Sequence, residues 1–126
     1  MHEEVALLQG SWSLRSLAMD GQEMPSSLIA NAGIEVNGNR FVSVGMGAVY
    51  EGRLELAPST NPRQLDMKFD AGPEKGNVNL CIYEIAGDVW KICIATRGSI
   101  RPSAFESTPG SGLALEVLGR VEGLAR

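Results

Sequence analysis

Gln64-Leu65-Asp66-Met67-Lys68-Phe69-Asp70-Ala71 alternates without a break. Leu65, Met67, Phe69 and Ala71 fall on one side, and Gln64, Asp66, Lys68 and Asp70 on the other. A period of two with one polar face marks a β-strand buried on one side and wet on the other. Gly72-Pro73-Glu74-Lys75-Gly76 then turns the chain. Residues 78–85 and 89–95 follow as two strands around Ala86-Gly87-Asp88. Both are apolar on both faces, which calls for a covering element outside or a packed lumen inside. Residues 113–121 read as the last strand, with Leu113, Leu115 and Val117 opposing Glu116 and Arg120.

The same grammar runs upstream. In residues 48–56, Tyr50, Leu54 and Leu56 oppose Glu51, Arg53 and Glu55. Gly45-Met46-Gly47 separates this strand from Phe41-Val42-Ser43-Val44, and Asn37-Gly38 is a strong hairpin signal before it. Ile34 and Val36 begin another strand. Residues 25–32 are expected to form a helix of one or two turns, with a Ser as N-cap and Gly33 as its stop. Asp20-Gly21 turns the chain after a first strand, 11–19, whose Trp12, Leu14, Ser16 and Ala18 are read onto one side.

That makes about eight strands joined mostly by short loops, with one short helix after the first strand. The expected fold is all-β, an eight-stranded antiparallel up-and-down barrel. A sandwich is the other arrangement such hairpins allow, and closure is favoured because it leaves no open sheet edge. The 126 residues fit a single domain, 1–126, with residues 1–8 as a flexible lead. Hydrophobic residues make up 44% and charged residues 21%, which excludes a disordered chain. The net charge of −4 and the lack of any Lys/Arg cluster argue against a nucleic-acid partner. No apolar run is long enough for a membrane span. Residues 1–9 carry Glu3 and Glu4 and no basic segment, so they are not a signal peptide; the compartment stays open, cytoplasmic by default.

Two cysteines, Cys81 and Cys93, flank the turn at Gly87. A three-residue loop would set them facing each other, and a register shifted by one would send them to opposite faces. Two free buried thiols are favoured over a cross-strand disulfide. The one long connection, Arg97 to Ser111, is expected to act as a lid, a plug or a partner-binding loop, with Arg101 and Phe105 as its functional side chains.

Gly10-Ser11-Trp12 matches the Gly-x-Trp that opens lipocalin and calycin barrels. More of the chain resembles an uncharacterised family of bacterial lipocalin-like domains. The pieces include Leu8-Gln9-Gly10-Ser11-Trp12, Asp20-Gly21-Gln22-Glu23-Met24-Pro25, Tyr50-Glu51-Gly52, Gly72-Pro73-Glu74-Lys75-Gly76, Ile82-Tyr83-Glu84 and Pro109-Gly110-Ser111-Gly112. The resemblance implies a calycin-type barrel in which an Arg of the last strand, here Arg120, packs across Trp12. It implies no established activity.

Catalytic signals are sparse. The single His, His2, sits in the lead, which removes Ser-His and Cys-His arrangements and most catalytic zinc sites. No candidate metal site or cofactor emerges, and an enzyme is not expected. Glu51, Glu55, Asp66 and Asp70 are read as outer-surface groups. Glu84 and Lys91 are the better candidates for a polar residue in the lumen. A carboxylate deep in the cavity with a shifted acidity would speak for enzyme chemistry. The favoured function is binding of a small apolar ligand, with Tyr50, Leu54, Met67, Phe69, Tyr83, Trp90 and Ile92 as lumen candidates. The alternative is a protein-interaction or structural module with a filled barrel. Either is compatible with a monomer or homodimer.

Overall fold

The computed structural model describes residues 3–97 and 100–121. The sequence-predicted lead residue His2 and the loop residues Gly98 and Ser99 lie outside the described residues. The chain is an antiparallel meander. A short helix α1 (Glu3–Leu7) precedes β1 (Gly10–Met19), β2 (Gln22–Glu23), helix α2 (Ser26–Ile29), β3 (Gly33–Asn37) and β4 (Arg40–Gly45). Then follow β5 (Ala48–Ala57), β6 (Arg63–Ala71), β7 (Val78–Ala86), β8 (Val89–Ala95) and β9 (Leu113–Arg120). The ladder runs β1-β3-β4-β5-β6-β7-β8-β9, and β9 pairs back onto β1. Eight strands thus close a barrel, with β2 a two-residue annex on β1.

Closure sorts the connections into two ends. At one end lie the turns at Gly38-Asn39 and Gly87-Asp88, together with α1. At the other lie the α2 connection, the Met46-Gly47 turn, the 72–77 turn and the long β8–β9 connection. Met46 and Gly47 both have positive φ, 49° and 84°. That is the backbone a two-residue hairpin needs to match the twist of its strands.

Within the stretch read from the sequence as a loose lead, Val5 and Leu8 are instead buried. α1 places Val5 and Leu8 against the base of the barrel, and Leu8 is fully buried. α2 is also shorter than expected, and Pro25, not a serine, occupies its cap position without a side-chain cap bond. Its neighbour Gly33 opens β3. A Cβ at Gly33 would run into the carbonyl oxygen of Trp12 on the adjacent strand.

Two irregularities set which side chains point inward. β1 carries a bulge between Leu14 and Ser16, so Trp12 and Leu14 face the lumen, and beyond the bulge Leu17 and Met19 do. The expected single face of Trp12, Leu14, Ser16 and Ala18 is therefore corrected: an extra residue, Arg15, shifts the phase by one. β9 presents Ala114, Glu116 and Leu118 inward and turns Leu113, Leu115 and Val117 outward, the reverse of the expected apolar face. The closing register, Trp12 opposite Arg120 and Leu14 opposite Leu118, dictates this choice.

Candidate functional site

The closed end is built around Trp12. Its indole Nε1 donates to the Leu8 carbonyl at 2.9 Å, and its ring meets Trp90 edge-on with centroids 5.4 Å apart. The Arg120 guanidinium lies over the Trp12 ring, 4.2 Å from its centroid. The same guanidinium donates to the carbonyls of Gln9 (2.7 Å) and Leu7 (2.9 Å) and pairs with Asp88 at 3.1 Å. Gln9 completes the floor by bonding both backbone groups of Gly38, each at 2.8 Å. Beside it, Glu4 on α1 accepts from Tyr83 Oη (2.9 Å) and Arg63 (3.3 Å). Burial and the neighbouring Glu4 carboxylate push the Tyr83 hydroxyl well above the usual tyrosine range.

Above this floor the lumen splits into a solid half and an open half. Leu54, Tyr83, Trp90 and Ile92 pack in the solid half; all are buried and none lines the open space. They are corrected from ligand candidates to core. Tyr50, Met67 and Phe69 line a cavity of about 230 Å³ that opens at the opposite end. Leu14, Leu17, Met19, Ile34, Ile94 and Ala114 complete its apolar wall, and Val44 and Met46 stand half-exposed at its rim. Phe69 holds the wall together through edge-on contacts with Phe41 (5.5 Å) and Tyr50 (6.1 Å).

Inside the mouth one charged side chain breaks this lining. Glu116 projects into the cavity from β9, between Leu17 of β1 and Ile92 of β8. It makes no hydrogen bond or ion pair with any described residue. Removal from bulk water pushes its carboxyl from 4.5 up to about 7, because the apolar surroundings disfavour the charged form. The polar groups that share the cavity are neutral apart from Glu74 at the mouth: Ser43, Tyr50, Asn79 and Thr96. Thr96 is spent on the Gly112 carbonyl at 2.6 Å. The residues proposed from the sequence for this role are elsewhere. Glu84 and Lys91 pair with each other at 3.8 Å, both substantially exposed on the outer wall. The signal that would have found Glu116 was present: an Arg120 turned inward onto Trp12 puts Glu116, four positions earlier in the same strand, on the same face.

The long connection is not a lid. From Ile100 to Gly112 it lies as a strap down the outer wall of β6, β7 and β8. Arg101 pairs with Asp66 at 2.8 Å and donates to the carbonyls of Cys81 (2.9 Å) and Leu65 (3.3 Å). Phe105 sits beneath the Lys91 ammonium, 5.5 Å from ring centroid to nitrogen. Under the strap lie Ile82 and Cys93, both buried on the outward face. Its return is clasped to the β1–β2 turn, where Asp20 accepts from Gly112 N at 2.6 Å and Ser107 accepts from Gly21 N at 2.8 Å. The strap supplies the outer cover that the two-faced apolar strands β7 and β8 require. Those strands join through a two-residue turn, so Cys81 opposes Ile94 while Cys93 opposes Ile82. The thiols point to opposite faces and both are free.

Among the described residues no cluster of ligating side chains fits a metal ion, and no helix is long and apolar enough to cross a membrane. No family model, characterised protein or solved structure matches the chain. The fold itself is a closed, eight-stranded antiparallel barrel.

Proposed function

We propose that this protein is a lipocalin-like module that binds a small, largely apolar molecule in the open half of its barrel, and that it binds rather than transforms it. One observation carries the reading: a preformed cavity of about 230 Å³, walled by aliphatic, methionine and aromatic side chains, reaches solvent at one end only. Such concave apolar spaces with a few placed polar groups are the common form of small-molecule sites. The size narrows the occupant. A cavity of about 150 Å³ accepts benzene, so this one suits roughly ten non-hydrogen atoms. Retinoids, long fatty acids and haem are too large for it.

Glu116 favours a second reading, general acid–base catalysis, since a carboxyl titrating near neutrality suits proton transfer. Against it, no described residue hydrogen-bonds the carboxyl to orient it, and catalytic acids and bases act in positioned sets. Binding therefore remains the preferred function.

The test is thermal shift and calorimetry with indole and 2-phenylethanol, on the wild type and on Ala114→Phe, whose added ring fills the cavity. Binding to the wild type raises its melting temperature by about 5–10 °C at 100 times Kd, and Ala114→Phe abolishes that shift. Absence of any shift from such compounds at saturation overturns the proposal.

A further inference from the structure

Resting on the reading of the lumen as a ligand site, we infer that its ligand is a small amphiphile whose apolar body fills the cavity and whose ammonium head pairs with Glu116. The carboxyl stands two positions nearer the mouth than Leu118 and two deeper than Ala114, all three facing the same space. It therefore meets the middle of a bound molecule's side, below the rim and half-buried among apolar groups. No lysine or arginine lines the cavity among the described residues, and every described cation near the barrel is committed elsewhere or points outward. A partnerless carboxylate in an apolar lumen is costly, and a ligand cation with N–H donors removes that cost directly. Among the described residues the side chains of Ser43, Tyr50 and Asn79 have no hydrogen-bond partner, and they supply neutral acceptors for the remaining N–H bonds.

The same geometry selects against anions. A carboxylate ligand seated here would put two like charges in one apolar space, which disfavours it or forces it to bind a proton. An uncharged alcohol of the same shape gains the apolar contacts but no charge pairing. Discrimination by head group is thus built into the wall opposite Met67 and Phe69, while shape is set by the wall itself.

Ammonium pairing also fixes the direction of a pH response. β1 and β8, which flank β9, present Leu17 and Ile92 to Glu116. The other titratable groups of the lumen are Tyr50 on β5, Cys81 and, in the solid half, Tyr83 on β7, and Glu74 at the mouth. Burial pushes the Cys81 thiol far up, so it stays uncharged. Amine affinity therefore rises as pH passes upward through the Glu116 transition near 7, while the amine, like a lysine, keeps its proton.

The experiment compares three probes of nearly one shape by calorimetry at pH 5.5 and pH 8: 2-phenylethylamine, 2-phenylethanol and phenylacetate. With the wild type at pH 8 the amine binds at least tenfold tighter than the alcohol, and the carboxylate binds weakest. Between pH 5.5 and pH 8 amine affinity rises at least tenfold while alcohol affinity holds. Glu116→Gln, nearly the same shape, removes the amine preference and its pH dependence and keeps the alcohol. Equal affinities for amine and alcohol in the wild type overturn the ammonium inference while leaving the cavity reading standing. If none of the three binds to wild type or variant, both fall. The wild-type comparison needs no variant, so a poorly folded Glu116→Gln does not blunt the test.

Discussion

Arg120 lies across the barrel seam from Trp12, with its guanidinium carbon 4.2 Å from the centre of the indole ring and its Nη atoms on the carbonyls of Gln9 and Leu7. One side chain thereby joins the last strand, the first strand and the helix that precedes it. The arrangement combines cation–π attraction with hydrogen bonds to carbonyls at the α1–β1 junction.

Arg120→Ala should cost about 2–3 kcal/mol, allowing for the partial exposure of the side chain. Arg120→Lys should recover less than half of that, because a single ammonium cannot stack on the ring and reach two carbonyls at once. Denaturant unfolding of the three proteins reads the difference; a lysine variant as stable as wild type would show that the forked geometry is dispensable.

α1 is a structural plug. Leu8→Ala should lose about 2–5 kcal/mol, as expected for a buried leucine, and should leave a void beside the indole. The adjacent Leu7 is 50% exposed, and Leu7→Ala should stay within about 0.5 kcal/mol of wild type. Melting curves of the pair decide the matter: equal effects would mean that the helix is not docked in solution.

Glu116 makes stability fall as pH rises. Its folded carboxyl titrates at about 7 against 4.5 for the ordinary group. Between those values the folded chain holds a proton that the unfolded chain has released, so the slope of stability with pH is negative. The full cost, about 3 kcal/mol, is in place above pH 7 and absent below pH 4.5. Glu116→Gln should therefore be more stable than wild type at pH 8 and about equal to it at pH 4.5. Parallel stability curves across that range would contradict the burial of the carboxyl.

The strap guards one cysteine and the barrel wall guards the other. Burial raises the pKa of both thiols, so neither presents much thiolate at neutral pH. Native protein should react with a thiol reagent only slowly, and unfolding should release two equivalents, as no disulfide is present. Arg101→Ala removes the ion pair to Asp66 and both carbonyl bonds, which loosens the strap. Cys93, whose Sγ contacts the Glu106 carbonyl of that strap at 3.4 Å, should then react faster while Cys81 stays protected. Equal acceleration of both would point to general unfolding instead.

Much of the fold was written in local pattern. The alternation at 64–71, the turn signals around Gly38 and Gly87 and the apolar run of β7 and β8 fixed the strands, because side-chain period and turn chemistry act over a few residues. The phase of each strand was a different matter. β1 and β9 are apolar enough on both sides to fit either orientation, and the decision fell to the bulge at Arg15 and to the pairing of Trp12 with Arg120. A shift of one residue exchanges the two faces, which is why Glu116, read opposite the apolar face of Leu113, Leu115 and Val117, lies in the lumen. The function of the long connection was equally illegible, since Arg101 binds carbonyls on strands far from it in sequence. Short-range preferences determined that this chain makes strands and where they turn; only closure of the barrel determined which side chains are sealed together, because inward and outward are defined by strand pairings between the two ends of the chain.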